Sequence, residues 1–227
     1  MNSISGNIQQ VQERIKSACR RVGRDPREVL LIAVTKTVPV ERIQEALQEG
    51  LTHFGENYIQ EAQLKIEALR QGVWHFIGHL QRNKAKSAVK LFSMIETLDS
   101  PALARELNRQ ALQTGNLVEV LIQVNEAGES SKSGLPPDKV PLLLKEAETW
   151  PALRIRGLMI IPPYDPDPEK SRPWFRSLFQ WRALWQDQFP SADLSHLSMG
   201  MSHDFEAAIE EGATIIRVGT ALFGARG

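Results

Sequence analysis

What most constrains this chain is an alternation. A short run of apolar and β-branched residues precedes a longer amphipathic stretch, and this recurs along the whole sequence. The strongest runs are residues 29–34, 119–124 and 156–161, with shorter ones at 52–54, 74–77, 94–98, 196–199 and 214–218. Strands this continuously apolar are buried on both faces, as in a parallel sheet covered by helices. The intervening stretches carry helix periodicity and punctuation. Val40, Ile43, Ala46 and Leu47 share one face before Gly50, and Pro101 opens a helix capped by Asp99 or Ser100 and closed by Gly115. Segments 137–150 and 174–188 repeat the pattern, and a leading helix over 8–22 plugs or flanks one end. Eight units without a reversal signal favour a single (β/α)8 TIM barrel over residues 1–227, with an open doubly wound sheet as the alternative.

Charge and cysteine usage narrow the partners. Lys and Arg number 27 and so do Asp and Glu, which leaves no electrostatic footprint for a nucleic-acid backbone. Cys19, the single cysteine, excludes an internal disulfide and reads as a packed thiol. The first residues lack the basic start and apolar core of a signal peptide, and no apolar run approaches the ~18 residues of a bilayer span. The expectation is a cytoplasmic protein with neither nucleic-acid nor membrane partner. It is also a monomer, because no apolar stripe is left beyond the core faces.

In a barrel, reactive groups sit at the C-terminal ends of the strands. The first strand ends in Ala33-Val34-Thr35-Lys36, where the period of two gives Lys36 the face of Val34, Ile32 and Leu30. A lysine emerging from apolar surroundings loses charge readily and offers a free amine for a Schiff base. The plainer alternative is a strand-end lysine whose head reaches solvent. At the other end of the chain, Ser198-Met199-Gly200 and Gly219-Thr220 follow the seventh and eighth strands, where barrels frequently bind phosphate. Gly200 and Gly219 let backbone N–H groups approach an anion, while Ser198 and Thr220 add hydroxyls. Arg217 shares a strand face with Gly219. The plainer alternative here is small residues relieving crowding at turns. A Schiff-base lysine facing a phosphate cradle points to pyridoxal 5′-phosphate (PLP), which carries both an aldehyde and a phosphate.

Other residues weigh less. His75 and His79 are four apart, but Gly78 and the strand context remove the helix that metal ligation at that spacing needs, so no metal is expected. Asn83 and Lys84 stand at a helix start, where they cap and solvate it. Residues 162–168, rich in proline, form a stiff loop that serves as a rim or simply turns the chain. Trp174, Trp181 and Trp185 follow helical spacing and read as packing.

Motifs spread in order over nearly the whole chain carry a family resemblance. They are Ala33-Val34-Thr35-Lys36, His53-Phe54-Gly55-Glu56-Asn57-Tyr58, the stretch 74–84 containing Gly78-His79-Leu80-Gln81-Arg82-Asn83-Lys84, Ser131-Lys132-Ser133-Gly134, 197–202 and 217–224. The chain resembles the pyridoxal phosphate homeostasis protein family, small proteins similar to the barrel domain of alanine racemase. The resemblance implies that Lys36 forms the internal aldimine with PLP. It also implies that Ser198, Gly200, Gly219 and Thr220 hold the phosphate, with Asn57 and Arg217 beside the cofactor. Arg217 faces either the ring nitrogen or the phosphate; at the ring nitrogen, a cation would keep that nitrogen unprotonated and weaken carbanion chemistry. Thr35 stands where many relatives have Ser, a departure that keeps the hydroxyl.

A racemase of this cofactor class needs two acid–base groups, one on each face of the bound amino acid. Lys36 supplies one. In two-domain racemases resembling this barrel the other is a tyrosine from an added domain, and the chain offers only Tyr58 and Tyr164, with no residues after 224 for such a domain. The expected function is therefore a non-catalytic PLP-binding protein in vitamin B6 homeostasis and amino and keto acid balance. The alternatives are a slow PLP-dependent enzyme acting on amino acids and a Schiff-base aldolase using Lys36 on a phosphosugar.

Overall fold

The computed structural model describes residues 3–129 and 133–224, so Ser131 and Lys132 of the fourth motif lie outside the described residues. The strands are β1 (Leu30–Val34), β2 (His53–Glu56), β3 (Val73–Phe76), β4 (Met94–Leu98), β5 (Val118–Val124), β6 (Leu153–Ile160), β7 (His196–Met201) and β8 (Ile215–Val218). Every neighbouring pair is parallel, and β8 pairs back onto β1 through Leu30–Ile215 to Ala33–Val218, closing the barrel. Closure, which sequence left open, is therefore settled in favour of the barrel.

The helices follow as α1 (Ile4–Arg21), α2 (Val40–Gln48), α3 (Ile59–Leu69), α4 (Ala85–Leu91), α5 (Pro101–Thr114), α6 (Val140–Ala147), α7 (Arg172–Gln188), α8 (Phe205–Glu210) and α9 (Thr220–Phe223). Ser100, not Asp99, caps α5, its Oγ accepting from Leu103 N at 3.3 Å. The helix expected over 137–150 is shorter: a 3₁₀ turn at Pro137–Lys139 precedes α6, which ends at Ala147. Pro141 has no N–H and fits only a helix's first turn, so the regular helix begins at Val140. The leading helix begins at Ile4 with Ser3 as its cap and flanks the barrel instead of plugging it. It lies along α8 and α9, tied by Arg14–Glu206 at 2.9 Å and by Asn7 Nδ2 donating to Leu222 O. Cys19 is buried there, and Trp185 is buried with Trp181 stacked on it.

Two layers of packing follow from the strand period. Leu31 and Ala33 face outward into the main core beneath the helices, while Leu30 and Ile32 face the barrel axis with Met94, Leu121, Met159 and Ile215. That apolar plug makes the barrel a packed core and leaves the C-terminal rim for chemistry.

Candidate functional site

The rim residues predicted from sequence come to neighbouring strand ends. Lys36 follows β1, Asn57 follows β2, Ser198 and Gly200 lie on β7, and Arg217, Gly219 and Thr220 lie on or after β8. Because β7, β8, β1 and β2 are consecutive in the closed sheet, the set occupies one side of the rim. Lys36 is half-buried. Thr37, directly after it, has φ 62°, a left-handed conformation that is strained for a β-branched residue.

Asn57 is held by a close backbone approach. A Cβ on Gly78 would sit 2.3 Å from Asn57 O, so only glycine fits there. Asn57 Oδ1 is buried without a hydrogen-bond partner, an orphaned acceptor at the rim of the kind that a ligand satisfies. Beside it a cleft of about 420 Å³ is lined by Asn57, Tyr58, Phe76, Gly78, His79 and Lys84, among others. A larger cleft, about 570 Å³, lies at the opposite end of the barrel against Leu153, Arg156 and Asp193, which contain none of the rim set.

On the β7–β8 side, Gly200 has φ 90°, and a Cβ there would come within 2.5 Å of Ala208 Cβ and 2.9 Å of Phe205 Cα. Gly200→Ala is therefore expected to lower stability by about 1–3 kcal/mol, combining backbone strain with overpacking, as read by the urea midpoint. Ser202 Oγ accepts from Gly219 N at 3.1 Å and from Ala221 N at 3.3 Å. These are backbone donors converging on one oxygen, a geometry suited to a phosphate oxygen. Ser202 lay within a quoted motif but was not chosen from sequence. Ser198 differs from its expected role. Its side chain is fully buried and turned along the barrel axis, where Oγ donates to Glu96 Oε2 at 2.5 Å and accepts from Arg217 Nη1.

That contact belongs to a buried chain that sequence reasoning missed. Arg217, 4% exposed, also donates from Nη2 to Ile160 O at 2.9 Å. Glu96 Oε1 lies 3.0 Å from His75 Nδ1, and His75 Nε2 lies 3.0 Å from His53 Nδ1. A carboxylate only accepts, so His75 donates from Nδ1, and in its neutral form its Nε2 accepts from His53. The chain thus runs from His53, the first residue of β2 at the barrel floor, to Arg217 near the rim. Burial opposes ionisation of Glu96, but the hydrogen bond and charge of His75, the Arg217 charge and the Ser198 hydroxyl outweigh it and hold the carboxyl below its ordinary value. Burial likewise lowers Arg217, with Glu96 and Asp204 opposing. His75 and His79 do not act together: His79 contacts Asp99 at 3.2 Å and Ser133 Oγ at 2.8 Å.

Burial lowers His53, with His75 adding to the effect, and burial lowers His196, with Arg156 adding, both from an ordinary 6.5. The folded chain therefore binds fewer protons there than the unfolded chain. Stability is expected to fall as pH drops through that value, and His196→Gln should flatten the slope of urea midpoint against pH. An unchanged slope in that variant would remove His196 from the account.

Comparison with known proteins is decisive at this point. Residues 6–227 match the family described as alanine racemase, N-terminal domain. The pyridoxal phosphate homeostasis protein of Aquifex aeolicus is 46% identical over 221 residues, covering 96% of each chain. The chain belongs to the pyridoxal phosphate homeostasis protein family. That of Escherichia coli K12 is 41% identical, over 100% of this chain and 98% of its own. PipY of Synechococcus elongatus, 39% identical, has been solved with PLP bound and superposes with a TM-score of 0.83 over 94% of this chain and 100% of its own. An alanine racemase of Clostridium difficile shares the fold at 13% identity and a TM-score of 0.76, over 99% of this chain but 57% of its own. Family membership agrees with the resemblance read from the motifs. Among the described residues, no helix is long and apolar enough to cross a membrane.

Proposed function

We propose that this protein binds PLP covalently through Lys36 and serves as a cytoplasmic, monomeric holder of the cofactor in vitamin B6 homeostasis and amino and keto acid balance, with no efficient turnover of its own. The observation that carries the reading is the rim set: a half-buried Lys36, the orphaned acceptor of Asn57, and the Gly219 and Ala221 amides converging on Ser202. It is supported by a relative 39% identical that was solved with PLP bound. When bound, PLP supplies an electrophilic aldehyde and a dianionic phosphate. Lys36 provides the amine, and the backbone donors of Gly219 and Ala221 provide the anion cradle, with Gly200 and Thr220 shaping it. Arg217, held along the barrel axis, borders the same space.

Tyr58 and Tyr164 are exposed, and Tyr164 packs against His203, so neither is locked into an acid–base position. This favours holding over racemisation. Titrating the apo protein with PLP is expected to give a saturable visible absorbance that survives gel filtration, while amino acids added to the loaded protein give no sustained turnover. A protein that stays colourless overturns the reading. Turnover that is lost in Lys36→Ala would replace it with the slow enzyme acting on amino acids.

A further inference from the structure

A second lysine lies behind the first. Lys65, on α3, is 5% exposed, and its ammonium donates to Thr35 O at 2.6 Å, Glu56 Oε1 at 2.7 Å and Glu61 Oε1 at 2.6 Å. All three of its hydrogens are thereby used. Two further bonds enter the same cluster. Thr35 Oγ1 donates to Glu56 Oε1 at 2.6 Å, and Thr37 N donates to Glu61 Oε1 at 2.5 Å. The residues on either side of Lys36 are therefore tied to one buried group, and Thr37 is kept at φ 62° despite its side chain. Strain of this kind costs about 1–3 kcal/mol and persists only where surrounding contacts over-determine it.

We propose that Lys65 and Glu61 are positioning residues for Lys36, a clamp that fixes the turn on which its amine is presented. The proposal rests on the PLP reading above. The step it governs is addition of the Lys36 amine to an aldehyde carbon with loss of one water, which needs no oxidant or reductant. Misplacement of a reacting group by about 1 Å can cost on the order of 10²-fold in rate, so the clamp acts on how fast Lys36 reacts more than on whether the barrel folds.

Glu61 gives the cleanest test, because its side chain is 27% exposed in the first turn of α3 and can be shortened without emptying the core. Glu61→Ala removes the acceptor for Thr37 N–H, and Glu61→Gln keeps an Oε1 in its place. With PLP as the probe, stopped-flow absorbance is expected to show adduct formation slowed at least about tenfold in Glu61→Ala and restored close to wild type in Glu61→Gln. In the absence of PLP, amide exchange at Thr37 should accelerate in Glu61→Ala alone, with the urea midpoint reporting that the fold is kept. Wild-type protein that takes up no PLP would defeat the functional reading. Wild-type uptake with an equal rate in Glu61→Ala, or an equally slow Glu61→Gln, would defeat the clamp and leave the reading standing. An unprotected Thr37 amide in the wild-type apo protein would also overturn the clamp.

Discussion

Glu96→Ala is expected to lose about 3–5 kcal/mol of stability, the loss characteristic of removing one partner from a buried ion pair. Glu96 is fully buried and balances Arg217 through the Ser198 hydroxyl, and it is the acceptor for His75. Its removal takes the nearer carboxylate from a buried guanidinium and leaves Asp204 to balance it, and burial makes that arrangement costly. The urea midpoint measures the loss, and the melting temperature should drop by roughly 10 °C for a chain of this size. Replacing both members, Glu96→Leu with Arg217→Leu, should recover much of the loss, because the penalty lies in the unpaired charge and not in the missing bond. The pH dependence has a fixed sign. With its folded carboxyl below the ordinary 4.5, Glu96 contributes stability above that value and loses it as pH falls through the folded value. A Glu96→Ala protein as stable as wild type would remove the axial chain from the account of the fold.

Lys36→Ala is expected to abolish retention of PLP through gel filtration while shifting stability by less than about 1 kcal/mol. A half-buried side chain on a rim turn contributes little to packing, whereas the amine is the bond-forming group. Lys65 cannot replace it, since its ammonium hydrogens lie on Thr35 O, Glu56 and Glu61. Absorbance of the eluted protein decides the matter, and a Lys36→Ala protein that elutes coloured would place the attachment elsewhere.

The fold was legible because the period-two and helical patterns are strong and local. All eight strands fall within a few residues of their expected places. Helices α3, α8 and α9 were not read from the sequence, and of α4 only the start at Asn83–Lys84 was. α8 and α9 are short, and α3 turns a charged residue, Lys65, into the interior, which defeats an apolar stripe. The rim residues were legible for a different reason: barrel geometry singles out strand ends, and Lys36, Gly200, Arg217 and Gly219 stand there, whereas Asn57 came only through the family resemblance. Glu96 and His75 were less visible, although each left a signal as a polar residue inside a strand that is otherwise buried. What could not be read was their partnership, because Glu96, Ser198 and Arg217 meet only when β4, β7 and β8 face one another across the closed barrel. Ser202 and the Lys65 clamp likewise depend on contacts between elements far apart in sequence.

Central to the account is that Lys36 is the point of covalent attachment. PLP-loaded protein reduced with borohydride, digested and mapped by mass spectrometry is expected to carry one pyridoxyl group, on the peptide containing Lys36. A pyridoxyl group on another lysine, or none on a protein that binds PLP, would contradict it.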